Sequence, residues 1–336
     1  MRPPLHFIGM FGIGDCLHQR AVLRRLLEHY DVWLETCHIW QHLDLLEHGN
    51  LHLILRPTRL WMHEQNIAKE RGRYPDVYCP ARQIPRGAHQ IRNWYLKKEI
   101  DRTGSILGAM FLAAGLEYGI PDFSLPIRPE WRTSRVLNVI EMARASGRPM
   151  MIYRPIVLRK EWNSASRNPD PQCYEQIYAA SRKHFFTVSI ASLRTNVEWI
   201  VGPEQPADLK LHGGQFEMWE LAALFAEASV VFCNAGMAPV LAQAVGTPSI
   251  VIYGGRESFR TTQRAGAHLA PTLGIDTVDP CDCHTNLHNC NKQVDVPSAV
   301  TRIEEFIDAH VAVRDDLRRH ARQDGDAEAV DQAVDA

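Results

Sequence analysis

Between Leu5 and Leu27 a short apolar run, Leu5-His6-Phe7-Ile8-Gly9-Met10, breaks at Gly12 and Gly14 and gives way to Val22, Leu23, Leu26 and Leu27. A strand-length apolar run, glycine punctuation and then a helical period describe a strand, a tight loop and a helix. Further strand-like runs follow at Asp31–Thr36 and Leu51–Leu55, which is the alternation of a parallel α/β sheet. The pattern breaks in the proline-containing stretch from Gly119 to Pro129, passes through a helical segment at Ser134–Ala145, and restarts after Gly147-Arg148-Pro149. The second cycle predicts strands at Met150–Tyr153, Phe185–Ile190, Val230–Cys233 and Ser249–Tyr253. Helices are expected near Tyr174–His184 and over Trp219–Ala226 and Pro239–Val245.

A chain of 336 residues has room for two cores. The expected division is a Rossmann-like α/β domain over 1–130, a connection over 131–148, a second Rossmann-like domain over 149–310, and a frayed polar tail over 311–336. Hydrophobic residues at 45% and charged residues at 23% exclude general disorder and fibrous repeats. A formal net charge of -2 gives no global attraction to nucleic acid or acidic membranes, so any polyanion must be met locally. The first apolar run is too short for a signal sequence, and no uncharged run of 18 apolar residues occurs, so any membrane role is peripheral. Eight cysteines, most of them scattered, point to a reducing cytoplasm rather than a disulfide framework.

Two stretches carry chemistry. Gly12-Ile13-Gly14-Asp15 ends the first strand, where an open parallel sheet receives ligands and where glycine lets a backbone approach them. Asp15 reads either as a substrate-facing carboxylate or as a helix cap that suits the positive dipole end. The order of Gly9, Gly12 and Gly14 is not that of a dinucleotide fingerprint, and no P-loop lysine follows. In the second stretch, Val230 to Cys233 run into Asn234-Ala235-Gly236-Met237-Ala238-Pro239, a strand entering a helix through small residues. Free N–H groups and the dipole there suit a diphosphate.

Gly14-Asp15-Cys16-Leu17-His18-Gln19 resembles the amino-terminal signature of the bacterial heptosyltransferases. The stretch from Glu220-Leu221-Ala222-Ala223-Leu224 through Gly246-Thr247-Pro248 to Tyr253-Gly254-Gly255 resembles their donor-binding signature. That resemblance implies a GT-B fold, with two Rossmann-like domains facing a central cleft, the acceptor side first and the nucleotide-sugar side second. It implies an inverting, metal-independent sugar transfer that needs no cofactor, with a nucleotide-sugar donor, a heptose among the candidate sugars, and Asp15 as general base. An inverting transfer needs a carboxylate that takes the acceptor proton, and donors that meet the leaving diphosphate. Gly14, Ala235, Gly236, Met237 and Ala238 are the expected backbone donors, with Arg154 and Lys160 as cations; Arg159 competes with Lys160 for that role.

The second signature departs from the family at Asn234-Ala235, where aspartate and threonine are usual, at Pro239, and at Gly255-Arg256. Asn234 would then bond a ribose or sugar hydroxyl and Arg256 a phosphate. From Arg56 to Arg102 eleven Lys or Arg stand against five Asp or Glu. This is either a solvated surface or an acceptor face, with His18, Arg56 and Arg59 as candidate contacts. The acceptor would be an anionic glycan or glycolipid such as a phosphorylated lipopolysaccharide core, met peripherally at the inner membrane; modified DNA as acceptor, or a degenerate relative that binds a nucleotide sugar without turnover, is the alternative. Cys281, Cys283, His284, His288 and Cys290 offer ligands for a structural zinc in a non-standard spacing, or else are free thiols or an oxidisable pair. His38, His42, His48 and His52 follow no ligand pattern.

Overall fold

The computed structural model describes residues 2–161, 163–262 and 269–312. Residues 313–336, nearly all of the expected tail, lie outside the described residues, as does Trp162. The contacts divide the chain into two units, Met1–Pro126 with Arg260–Thr262, and Ile127–Phe259 with the remainder. Among the described residues no helix is long and apolar enough to cross a membrane.

The first unit carries a sheet of β1 (Pro4–Ile8), β2 (Asp31–Thr36), β3 (Leu51–Leu55), β4 (Tyr78–Cys79) and β5 (His89–Arg92). Its order is β4-β3-β2-β1-β5, and every pairing is parallel. The helices are α1 (Ile13–Leu27), α2 (Leu43–Leu46), α3 (Trp61–Arg73), α4 (Lys97–Thr103) and α5 (Ile106–Ala113). Leu5 and Phe7 on β1, Leu17 and Leu23 on α1, and Leu53 on β3 are fully buried. Arg20 of α1 is buried among them and survives there by pairing: its guanidinium reaches both Asp44 oxygens at 2.9 and 2.7 Å and also donates to the carbonyls of Gln41 and Ser124. One side chain thereby ties α1 to α2 and to the segment that leaves the unit.

The second unit is built on β6 (Met150–Tyr153), β8 (Phe186–Ile190), β10 (Leu209–Leu211), β11 (Val230–Asn234), β12 (Ser249–Ile252) and β13 (Thr272–Ile275). The order β10-β8-β6-β11-β12-β13 is all parallel and is the doubly wound Rossmann order, with two strands on one side of the starting β6 and three on the other. A separate antiparallel ribbon pairs β7 (Val157–Arg159) with β9 (Glu198–Ile200). Its helices among the described residues are α6 (Ser134–Ala145), α7 (Pro171–Ser181), α8 (Met218–Glu227), α9 (Met237–Ala244) and, after the short α10 (Phe259–Thr262) that falls mostly with the first unit, α11 (Val296–Phe306). The stretch 131–148, expected as a connection, holds α6, which is docked on α8: Thr133 and Arg135 donate to the buried Glu220 at 2.7 and 3.0 Å.

Helix starts follow local chemistry. Asp170 accepts from the amides of Gln172 and Cys173 with Pro171 in the first turn, so α7 begins before the Tyr174 expected from periodicity. Glu217 and Glu220 form a reciprocal capping box on α8, and Asp295 caps α11. The core is aromatic: Tyr153 stacks on Tyr178 at 3.8 Å, and Phe232 sits edge-on to both Tyr178 and Tyr174.

Candidate active site

Each parallel sheet reverses its winding once, and at such a point the loops beyond the strand ends diverge and leave a crevice. In the first unit the reversal falls between β1 and β5, in the second between β6 and β11. Asp15 and Gly14 lie at the first of these places, and Arg154 and Asn234 at the second.

At the first, Gly12 begins α1 with no side-chain cap, and Asp15 lies one turn in. Asp15 is therefore not the N-cap. Its half-exposed carboxylate accepts a hydrogen bond of 2.9 Å from the Tyr95 hydroxyl. Tyr95 follows β5, so the pair spans the reversal. Gln19 ties the rest of the loop: it accepts from the Met10 amide at 3.0 Å and donates to Asn93 at 2.8 and 2.9 Å, while Asn93 donates to the Met110 carbonyl. Gly14 shares the first turn and is half-exposed.

Arg56 follows β3 and is buried, with its guanidinium 3.9 Å from the centre of the Phe11 ring and 5.6 Å from that of Trp94. Its Nη1 is buried with no hydrogen-bond partner among the described residues. A buried guanidinium N–H of this kind can donate to an anionic or carbonyl oxygen. Arg59 is exposed in the loop before α3. His18 corrects the expectation of an acceptor contact: it is buried edge-on against Phe123 at 5.1 Å, and burial pushes its imidazole down to about 3, so it packs as a neutral ring. Nearby, His38 and His63 meet Cys37 and the buried Glu70, which takes the amides of Ile39 and Trp40. His42 is buried, His48 is exposed, and His52 stacks on Trp33 at 4.2 Å.

At the second reversal, Asn234 ends β11, Ala235 is buried, and Gly236 caps α9 at φ 151° with no atom within 4 Å of where a Cβ would stand. Gly236 has no side chain with which to cap this helix, so among the described residues the Gly236, Met237 and Ala238 amides stand as its N-terminal donors; Pro239, next in line, has none. The side chains around that turn are committed to the protein. Asn234 donates to Asn168 Oδ1 at 2.9 Å. Arg154 clasps Glu198 through both terminal nitrogens at 3.0 and 2.7 Å, and Arg159 adds a third bond at 3.1 Å. Burial alone would raise the Glu198 carboxyl, but the two guanidiniums outweigh it and hold it down at about 2. Arg256 donates to the carbonyls of His284 and Thr285 at 3.1 and 3.2 Å. Lys160 is exposed. Arg154, Asn234 and Arg256, expected at the donor, thus each bond a protein partner.

Gly254 and Gly255 explain the double glycine. A Cβ on the first would stand 2.4 Å from the Asn168 carbonyl, and on the second 2.4 Å from that of Asn291. Asn168, Glu198 and Tyr95 carried no sequence signal, since each acts through a partner distant in the chain. Of the five late-loop ligands, Cys281, Cys283, His288 and Cys290 converge, with ligand atoms all within 4.8 Å of one another; His284 is not among them.

No family model and no curated protein matches the sequence. Solved structures do match the fold. The glycosyl transferase family 9 structure from Veillonella parvula DSM 2008 aligns over 92% of this chain and 97% of its own, with a TM-score of 0.55 at 11% identity. The iron-containing dodecameric glycosyltransferase TibC from enterotoxigenic E. coli H10407 aligns over 90% of this chain and 76% of its own, with a TM-score of 0.53 at 12% identity. E. coli ADP-heptose lps heptosyltransferase II aligns with a TM-score of 0.49 at 16% identity, over 80% and 90% of the two chains, and adds no weight. The chain thus has the two-unit α/β fold, of GT-B class, shared by these glycosyltransferases.

Proposed function

We propose that this chain is a glycosyltransferase that moves a sugar from a nucleotide-activated donor to an acceptor hydroxyl, with inversion at the anomeric carbon. The observation that carries the reading is the Asp15 carboxylate, half-exposed at the reversal point of the first sheet and steered by the Tyr95 hydroxyl. Asp15 takes the acceptor proton as that oxygen attacks the anomeric carbon, and the bond to the diphosphate breaks on the opposite face. The departing negative charge is met by the open amides of Gly236, Met237 and Ala238 at the positive end of α9, with Lys160 as the exposed cation. This division of labour calls for neither a catalytic metal nor a bound cofactor. The likeness in fold to family 9 glycosyl transferase structures supports the reading, and the heptosyltransferase signatures favour a heptose as the sugar.

The open Nη1 of Arg56 and the basic surface beyond it favour an anionic acceptor, a phosphorylated glycan or glycolipid met at a membrane surface. One observation favours a second reading, a nucleotide-sugar binder without turnover: Asn234, in the place of the family aspartate, is tied to Asn168.

A thermal-shift screen of wild type and Asp15→Ala against ADP-, UDP-, GDP- and CMP-sugars tests both. A true donor stabilises both proteins, by about 2.7 kcal/mol at a hundredfold excess over Kd. Donor consumption by wild type alone establishes Asp15 as base and ends the binder reading; binding without consumption by either establishes the binder. Competition between lipid-core glycans and DNA then separates the acceptors. No shift with any sugar overturns the donor site.

A further inference from the structure

The loop between β13 and α11 has almost no regular structure, yet it is held at many points. The amides of Cys281 and Asp282 both donate to the Gly255 carbonyl at 2.9 and 3.0 Å, and the His284 amide to that of Arg256 at 3.0 Å. Arg256 returns two bonds to His284 and Thr285, and Ser258 donates to Asp282 at 3.0 Å. On its other side the loop meets the segment after β7: Ser164 donates to Asn286 at 2.9 Å, Ser166 to the Thr285 carbonyl at 3.2 Å, and Lys292 to the Ala165 carbonyl at 2.7 Å. It bridges the turn beyond β12 to the segment that carries Asn168. Asp282 and His284, on either side of Cys283, hold left-handed φ values of 49° and 53°. Such conformations cost non-glycine residues of order 1–3 kcal/mol each and persist only where the surroundings fix them.

What lies at the centre of this loop is a cluster of soft ligands. Cys281 Sγ is 3.2 Å from His288 Nδ1, Cys290 Sγ is 3.5 Å from the same nitrogen, and Cys283 Sγ is 3.5 Å from Cys290 Sγ. All four atoms lie within 4.8 Å of one another. A tetrahedral ion with metal–sulfur bonds of about 2.3 Å and a metal–nitrogen bond of about 2.0–2.1 Å requires ligand separations of roughly 3.5–3.8 Å. A disulfide requires sulfurs at about 2.05 Å. The three printed separations, 3.2 to 3.5 Å, lie near the former and far from the latter, and the other separations, within 4.8 Å, need only side-chain adjustment to close on one ion.

We infer that Cys281, Cys283, His288 and Cys290 form a structural site for a thiolate-seeking divalent ion of tetrahedral preference, zinc or ferrous iron. Four protein ligands complete a tetrahedron and leave no position for substrate, which makes the site a staple and not a catalytic centre. Binding displaces the thiol protons to solvent and joins the two ends of a ten-residue segment, Cys281 to Cys290. The staple keeps Arg256 and the Gly254-Gly255 turn in place at the donor side. The metal assignment itself rests on the cluster alone and stands whether or not the chain transfers sugar.

The test is elemental analysis of the untagged protein, with native and denaturing mass spectrometry. The expected result is close to one zinc or iron per chain, the two distinguished by mass and by absorbance. Cys283→Ser with Cys290→Ser should drop this below a tenth, while Cys173→Ser, away from the cluster, retains it. Because the double variant can fail to fold, wild type is also stripped with a chelator and refilled with cobalt. Three cysteines should become reactive on stripping and protected on refilling, with the intense visible bands of tetrahedral cobalt thiolate, and amide exchange should rise over 281–291 and 254–258 in the stripped form. Metal-free protein whose thiols do not respond to cobalt, or a chain two hydrogens lighter because Cys283 and Cys290 are joined, would overturn the site.

Discussion

The two sheet reversals present different chemistry to whatever binds them. In the first unit the groups on offer are side chains, the half-exposed carboxylate of Asp15 and the buried guanidinium N–H of Arg56 that meets no acceptor among the described residues. In the second the polar side chains are turned into the protein, and the helix offers backbone amides at Gly236 to Ala238. Side chains suit the end of a reaction where a proton moves, since a carboxylate titrates and an amide does not. Backbone amides suit a spread-out diphosphate, since they are fixed, dipolar and need no counter-ion.

Replacing the carboxylate should break the contrast most sharply. Asp15→Asn keeps the shape and the Tyr95 contact but removes the base, and should lower kcat about 10³-fold, near 4 kcal/mol of barrier, while leaving the donor-induced thermal shift in place. An equal loss in donor binding would move Asp15 to the donor side. Next in size is Glu198→Gln, which leaves Arg154 and Arg159 facing no charge; about 3 kcal/mol of stability should be lost in denaturant melts, with activity per folded molecule largely retained. Activity falling further than the folded fraction would return Arg154 to the donor.

The same ion pair sets a pH dependence. Glu198 ordinarily titrates near 4.5 and is held at about 2 in the fold, so its contribution is complete above about 4.5 and is lost as pH falls toward 2. Roughly 3 kcal/mol of acid sensitivity in that window should vanish in Glu198→Gln. Gly236→Ala comes below this: its φ of 151° is closed to a Cβ-bearing residue, at a cost of roughly 1–3 kcal/mol, and the turn should shift enough to weaken donor binding by about tenfold or more. Tyr95→Phe is the smallest, removing one hydrogen bond for about 1 kcal/mol, read as a several-fold fall in kcat with KM for donor unchanged.

Much of this was legible in the chain itself, and for identifiable reasons. The strands near Asp31–Thr36 and Leu51–Leu55 are apolar runs bounded by breakers, and the structure places strands there. Gly12 and Gly236 mark loops because each begins a helix without a side-chain cap. The start of α7 was displaced because Asp170 and Pro171 outrank the apolar period that starts at Tyr174. Arg154, Asn234 and Arg256 read as donor ligands because residue type and strand-end position are visible in sequence, whereas their partners Glu198, Asn168 and the His284 and Thr285 carbonyls are not. His18 shows the same limit: it follows Asp15 at helical spacing, and only the packing of Phe123 tells that it is inward.

Local order, the spacing of apolar residues and the placing of glycine and capping groups determined from sequence alone that this chain would build two parallel α/β units, with chemistry at the ends of their strands. The tertiary structure decided which polar residues are spent and which are open. Tyr95 reaches Asp15 across 80 residues, Asn168 reaches Asn234 across 66, and Glu198 lies 44 residues from Arg154. Periodicity is a property of neighbours in the chain, whereas the pairing of buried charge and hydrogen bonds is imposed by the cost of leaving any of them unmet, and that cost is settled only once distant strands lie side by side.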